Sequence, residues 1–369
     1  MRKAVIVFGT RPEAIKLCPI INELKKRNSV DVRVVVTGQH KQLLYSVLDV
    51  FGISPDYDLS IMRDEQTLFE ITISVMSKMK KILETENPDV VLVHGDTTTA
   101  FSTALACFYM RIPIGHVEAG LRTYDTTAPY PEEFNRQALD IISDYYFAPT
   151  EDAKRNLINE GRDSSRIWIT GNTIVDAMRY TISKSFDHPE LQWAMGSRLV
   201  LITAHRRENL NEPMHMMFRA IRRVLDEHRD VKAIFPIHLN PVVRRVAKSE
   251  FEGCENIHII EPLDVFDFHN FESRCYLCLT DSGGIQEECV SIGKPVLLMR
   301  DITERPEGIE TGTIRLVGSE EERIYSCFSE LLDDDDAYNR MLKRSNIYGD
   351  GQASEMIIDI LMKEILNER

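Results

Sequence analysis

Short runs of consecutive apolar residues alternate along the chain with longer segments whose apolar positions recur every three or four residues. The first pattern reads as buried strands and the second as amphipathic helices. "AVIVFG" (4–9) predicts a strand and "PEAIKLCPIINELKKR" (12–27) a helix. "VDVRVVVTG" (30–38) predicts the next strand, followed by a helix from Lys41 to about Phe51 and a long one from about Thr67 to Glu86. The strand "DVVLVHGD" (89–96), a helix over 98–110, "IPIGHVEA", a helix near 132–143, "YYFAPT" and a helix from Glu151 complete a first series. After about residue 175 the rhythm restarts with "RLVLITA" (198–204), a helix over 213–228, "VKAIFPI" (231–237) and a helix over 241–250. "IHIIEP", a helix near 264–273, "YLCLTDS", the helical "GIQEECVSIG", "PVLLM" and "TIRLVG" follow.

Strands that are apolar along their whole length, each followed by a helix, belong to parallel sheets covered on both faces. Two series in succession predict an α/β protein of two Rossmann-like, doubly wound domains, 1–175 and 176–350. A length of 369 residues is too great for one ordinary core and agrees with that division. Ligands in such sheets lie beyond the carboxyl ends of the strands, so the cleft between the two domains is the expected site. "ASEMIIDILMKEIL" (353–366) predicts a last helix with no strand after it, and the segment 351–369 is free to pack back on the N-terminal domain. "DDDD" (333–336) reads as a solvated loop or helix end.

Charge and cysteine usage narrow the partners. A net charge of −14 argues against a nucleic-acid coat or an anionic membrane surface, so an anionic substrate would need a local basic pocket. No run reaches the roughly 18 apolar residues of a membrane helix, and "MRKAVIVFGT" enters a folded pattern at once rather than reading as a secretory leader. Seven scattered cysteines, an odd number, suggest reduced thiols in a cytoplasm. Cys275 and Cys278 form a CxxC inside a strand-like run, without a second CxxC, and read as core residues rather than as a metal or redox pair.

The candidate chemistry gathers at strand ends. "FGTRPEAIK" sets Arg11 and Lys16 near a helix N-terminus, where free N–H groups also favour an anion; the P-loop spacing is absent. "TAHRREN" places His205, Arg206 and Arg207 after a strand of the second domain, and a diphosphate held between the two groups of cations is the simple reading. In "TDSGGIQEE", Ser282, Gly283 and Gly284 make a turn that lets backbone approach a phosphate, while Glu287 and Glu288 lie one turn on, within reach of sugar hydroxyls. Asp96, Glu118, Glu132 and Glu133 all follow strands or open helices in the first domain. Several acids at one sheet edge would raise one another's pKa, which suits proton transfer. Read singly, Asp96 also serves as a helix cap and Glu132 as a complement to a helix dipole.

"GTRPEAIK", "HGDTTTAF", "GHVEAGLRT", "PEEFNRQ", "GNTIVDA", "HRREN", "HLNP", "LTDSGGIQEE", "GKPVLLMRD", "TERPEG" and "YGDGQAS" occur in that order. Over essentially the whole chain this resembles the non-hydrolysing UDP-N-acetylglucosamine 2-epimerases of bacteria and archaea. The resemblance implies the GT-B fold and reversible conversion of UDP-GlcNAc to UDP-ManNAc for cell-surface polysaccharide. It implies anti elimination of UDP to enzyme-bound 2-acetamidoglucal, then re-addition with the proton delivered to the other face of C2. It implies Asp96, Glu118 and Glu132 as catalytic carboxylates with Lys16 and His205 beside them. Arg11, His205, Ser282, Gly283, Gly284 and Glu288 would bind UDP. A second, activating UDP-GlcNAc would lie on Gln39, Gln42, Glu132, Arg206 and His238. Many members carry Arg just before "QTL"; here Glu65 stands there, with Arg63 two residues earlier. A homodimer is implied, and neither metal nor redox cofactor. The competing readings are a hydrolysing 2-epimerase that releases UDP and ManNAc, a GT-B glycosyltransferase, and a nucleotide-sugar sensor without turnover.

Overall fold

The computed structural model describes residues 2–27, 30–38, 41–61, 63, 66–303 and 305–366. It divides into two compact units, Met1–Tyr180 with Tyr348–Arg369, and Thr181–Ile347. The chain thus leaves the first unit after Tyr180 and re-enters it at Tyr348, rather than at 175 and 350.

The first unit holds a parallel sheet of β1 (Arg2–Phe8), β2 (Val30–Val36), β3 (Tyr57–Asp58), β4 (Val90–His94), β5 (Ile114–Val117), β6 (Tyr145–Ala148) and β7 (Ile167–Ile169). Their order is β3-β2-β1-β4-β5-β6-β7, with Ala4, Val5 and Ile6 paired to Val90, Val91 and Leu92. The second unit repeats the plan with β8 (Arg198–Thr203), β9 (Val231–Pro236), β10 (Ile257–Ile260), β11 (Leu277–Thr280), β12 (Val296–Leu298) and β13 (Ile314–Leu316), ordered β10-β9-β8-β11-β12-β13. These are two Rossmann-like, doubly wound sheets, the pair of which the GT-B class is composed. The direction of winding reverses between β1 and β4, and again between β8 and β11, so each sheet has a switch point where its loops part.

Continuous apolar strands end up buried on both faces: Ala4–Phe8, Val90–Val93, Val200–Ile202 and Leu277–Leu279 have no exposed surface. Each such side chain contributes about 1.5–3 kcal/mol by leaving water. The elements hidden from the hydrophobic pattern are short or strongly polar: β3, β7, the helix Thr173–Thr181 and the helices Glu321–Asp333 and Asp335–Met341. The aspartate run falls at the junction of these last two, where Asp334 accepts from the N–H groups of Asp336 (2.9 Å) and Ala337 (3.0 Å) as an N-cap.

The last segment is α-helical over Ala353–Leu361 and continues as a π-helical turn to Leu366. It packs on the helix Arg11–Arg27, and Arg27 pairs with Asp359. Its N-terminus is capped from a distance: Asp176 accepts from the N–H of Ser354 at 2.7 Å and of Ala353 at 3.3 Å. No helix among the described residues is long and apolar enough to cross a membrane.

One glycine is dictated by a close approach. Gly120, just past β5, has φ +88°, and a Cβ there would stand 2.2 Å from the carbonyl oxygen of Ala153. Because the obstacle is backbone, the clash cannot be relieved by a rotamer. Gly120→Ala is expected to cost about 2–4 kcal/mol and to lower the thermal midpoint by about 5 °C or more, read by circular dichroism. An unchanged midpoint would show that the turn yields.

Candidate functional site

In the first unit, the predicted residues lie at the carboxyl ends of β1, β4 and β5, beside the switch point. The turns after β1 and β4 are tied together by Glu13, which is 2% exposed. Its carboxylate accepts from the N–H groups of Gly9 (3.0 Å) and Thr10 (2.7 Å), from the Thr10 hydroxyl (2.8 Å) and from the Thr97 hydroxyl (2.7 Å). Burial pushes the Glu13 carboxyl above its ordinary value, against the pull of these hydrogen bonds. Arg11 opens the helix Arg11–Arg27 directly beside this knot.

Glu118 follows β5 with φ +66°, a backbone region that is strained for a residue other than glycine. Its carboxylate forms an ion pair with Lys16, the two side chains being 7% and 9% exposed. Asn172 donates to the same oxygen at 2.7 Å, and His94 Nε2 lies 3.5 Å from it. Lys16 thus has a carboxylate partner of its own. Asn172 is fixed in turn: its N–H donates to the carbonyl of Tyr348 at 2.7 Å, and its Oδ1 accepts from the N–H of Ile174 at 3.0 Å.

Behind Glu118, a polar relay, buried at His116, Asp140 and Arg122, sets the shape of both turns. The ring nitrogens of His116 face Asp140 Oδ1 at 2.6 Å and the carbonyl of Gly95 at 2.8 Å. Asp140 Oδ2 accepts from the N–H of Gly120 at 3.2 Å and from Arg122 at 2.7 Å, and Arg122 makes two further 2.7 Å bonds to Glu160. The turn carrying Asp96 and the turn carrying Glu118 therefore share one internal support.

Asp96 pairs with Arg136, which also donates to Glu133 at 2.7 Å, and Asn135 donates to the Asp96 carbonyl at 3.0 Å. Glu133 is fully buried and accepts from the N–H groups of Thr123 and Tyr124, each at 3.0 Å. Glu132, half-buried, opens the helix Glu132–Ile142. Each of three of these acids has a cationic partner: Lys16 at Glu118, and Arg136 at both Asp96 and Glu133. The supports Glu13, Arg136, Asp140 and Asn172 carry no role in the sequence reading. Glu13, Arg136 and Asn172 had a pointer in "GTRPEAIK", "PEEFNRQ" and "GNTIVDA"; Asp140 sits mid-helix with no local signal.

In the second unit, β8 and β11 end side by side, joined by a 2.6 Å hydrogen bond between the Thr203 and Thr280 hydroxyls. Asp281, fully buried, accepts from the N–H groups of His205 (3.1 Å) and Arg206 (3.0 Å) and from Asn209 (3.1 Å). Arg206 Nε donates back to the Asp281 carbonyl at 2.9 Å. The His205 ring stacks on that of His238, with centroids 5.3 Å apart. Ser282 is the N-cap of the helix Gly283–Ile292 without a side-chain capping bond. Its glycine opening, with His205 and Arg206 alongside, offers N–H and cationic groups that could receive an anion. Glu287 is held by Arg305 at 2.6 Å, and Glu288, 8% exposed, lies one turn along the helix from Gly284.

Of the remaining candidates, Gln39 and Glu65 lie outside the described residues. Gln42 falls in the helix Lys41–Phe51, but its side chain, like that of Arg207, lies outside the described residues. Arg63 is exposed. Cys275 and Cys278 are buried, as core residues would be.

A family profile described as UDP-N-acetylglucosamine 2-epimerase matches residues 22–362. The chain is 52% identical over 360 residues to the UDP-N-acetylglucosamine 2-epimerase of Bacillus subtilis (strain 168), covering 98% of this chain and 95% of the relative. It is 45% identical over 380 residues to that of Campylobacter jejuni, covering 100% and 99%. Among solved structures, it is similar to S. aureus MnaA bound to UDP (TM-score 0.94, 46% identity, covering 100% and 97%). It is equally similar in fold to the Neisseria meningitidis UDP-GlcNAc 2-epimerase bound to UDP-GlcNAc (TM-score 0.93, 44% identity, covering 98% and 100%).

Proposed function

Because the chain belongs to the UDP-N-acetylglucosamine 2-epimerase family, we propose that it interconverts UDP-GlcNAc and UDP-ManNAc without releasing free sugar. The observation that carries this reading is Glu118: a carboxylate at a buried strand exit, in a strained backbone conformation, held by Lys16 and Asn172. A salt-bridged, hydrogen-bonded carboxylate is kept ionised and aimed, as a base must be.

The C2–H bond of the sugar is a poor acid until the anomeric C–O bond begins to break. Departure of UDP builds positive charge at C1 and acidifies C2, so the diphosphate must be stabilised as it leaves. Arg11, His205 and the N–H groups at Ser282, Gly283 and Gly284 supply that stabilisation, and Glu288 holds the ribose hydroxyls. Glu118 exchanges the C2 proton, with Asp96 and Glu132 as the other acids of the set, and Lys16 and His205 complete the catalytic group. Elimination gives 2-acetamidoglucal; re-addition of UDP with protonation of the opposite face gives the epimer. A second UDP-GlcNAc on Gln39, Gln42, Glu132, Arg206 and His238 activates a cytoplasmic homodimer that supplies ManNAc for cell-surface polysaccharide.

Incubation with UDP-GlcNAc in D2O, followed by proton NMR, tests the reading. The expected product is UDP-ManNAc carrying deuterium at C2, with little free sugar. Stoichiometric free ManNAc would instead establish the hydrolysing reaction, and no change without an acceptor would favour a glycosyltransferase.

A further inference from the structure

The second unit contains a buried group of ionisable side chains, two of which, His269 and Glu272, have no part in the proposed reaction. His269 and Glu272, on the helix Val265–Arg274, meet Glu288, on the helix Gly283–Ile292. Their ligand atoms lie within 4.8 Å of one another, and the residues are 1%, 0% and 8% exposed. Glu272 Oε2 is buried and meets no hydrogen-bond donor among the described residues. What faces it is another carboxylate, Glu288; burial first, and then the charge of Glu288, push the Glu272 carboxyl well above its ordinary value. Two buried acids in this position bond only if a proton or a cation lies between them.

The surroundings favour the cation. His269 Nδ1 is bonded to the Thr181 hydroxyl at 2.6 Å, which turns Nε2 toward Glu288, 3.9 Å away. An outer hydrogen bond that orients a ring nitrogen toward carboxylates is the arrangement found behind metal-ligating histidines. Cys289 Sγ lies 3.1 Å from Glu272 Oε1, so a thiol stands beside the same carboxylate. A shared proton links only the two acids. A divalent ion joins all three groups and neutralises both charges. First-row ions hold N and O ligands at about 2.0–2.2 Å, so two ligands of a tetrahedral ion stand about 3.3–3.6 Å apart. The three groups, within 4.8 Å of one another, reach that spacing by side-chain shifts of about 1 Å.

We propose that His269, Glu272 and Glu288 form a binding site for a first-row divalent cation of the zinc or cobalt type. One imidazole and two carboxylates are a donor set that suits such ions better than magnesium or calcium, which take oxygen ligands. Binding displaces the proton carried by the acid pair into the buffer. Since Glu288 is also the group assigned above to the ribose, and to that extent the inference rests on the proposed function, cation and nucleotide exclude each other.

The full chain, stripped of metal by a chelator, is titrated with Co2+ and followed by visible absorption. Saturation at one equivalent is expected, with affinity falling at least about tenfold in Glu272→Gln and likewise in His269→Gln. Absence of saturable binding, or a folded Gln variant of either residue that binds cobalt as tightly as the parent, would overturn the site and leave a shared proton as the link. UDP is expected to lower the cobalt affinity. Cobalt bound equally well in its presence would uphold the cation site and overturn the ribose assignment of Glu288.

Discussion

Glu118→Gln is expected to reduce deuterium incorporation at C2 of UDP-GlcNAc about a thousandfold, the scale on which a positioned general base contributes. The substitution keeps size and shape, and the Gln carbonyl oxygen still accepts from Asn172, which reaches Glu118 at 2.7 Å. It removes the negative charge opposite Lys16 and the lone pair that takes the proton. UDP affinity is expected to hold within about threefold, because the groups assigned to the diphosphate lie elsewhere; that split between turnover and binding marks a group acting on the reacting atom. Isothermal titration with UDP and NMR exchange in D2O measure the two halves. Exchange near the parent rate would reduce Glu118 to a structural partner of Lys16.

The strain at Glu118 belongs to the same argument. With φ +66°, the residue holds a conformation that costs about 1–3 kcal/mol. Such a cost persists only where the surroundings over-determine it. Here Lys16 and Asn172 fix the side chain, while the Glu118 N–H donates to the Phe147 carbonyl at 3.1 Å. A shorter or mobile acid in the same place would not present its oxygen in one direction.

The strands and most helices of both units were legible in the sequence because buried parallel strands are apolar throughout, a pattern that needs no partner to be recognised. The positions of Arg11, Asp96, Glu118, His205 and Ser282 were legible for a related reason: each comes within three residues of a strand's end, and strand ends in a doubly wound sheet face the ligand. Their supports were not. Asp140 lies in the middle of the helix Glu132–Ile142, and its partners His116, Gly120 and Arg122 are 18 to 24 positions away. Asn172 reaches Glu118 across 54 positions, and the Tyr348 carbonyl that holds it comes from the far side of the second unit in sequence. No local periodicity encodes such contacts. Two-residue β3 and three-residue β7 were missed because a run that short does not distinguish strand from loop.

The Asp140 relay carries the largest stability effect. Asp140 and the side chain of Arg122 have no exposed surface, and their ion pair is 2.7 Å long. Removing one partner of a buried pair leaves the other charge in a medium that solvates it poorly, and Asp140→Ala is therefore expected to cost about 3–5 kcal/mol. Glu160 retains two hydrogen bonds to Arg122, which sets the expectation toward the lower part of that range. Burial by itself raises the Asp140 carboxyl, but His116 and Arg122 outweigh it and hold the group below its ordinary value. The unfolded chain therefore binds the proton first as pH falls, so this contribution is complete above the unfolded value near pH 4 and is lost as the pH drops through it toward the folded one. The difference in denaturation midpoint between parent and Asp140→Ala should accordingly be full at pH 7 and shrink below about pH 4. A difference that stayed constant down to the lowest pH at which the parent remains folded would mean that the missing contacts, and not the charge, set the cost. Because the relay supports the turns of both Asp96 and Glu118, the variant should also lose C2 exchange under conditions where it is still folded; exchange at the parent rate would separate the relay from the chemistry.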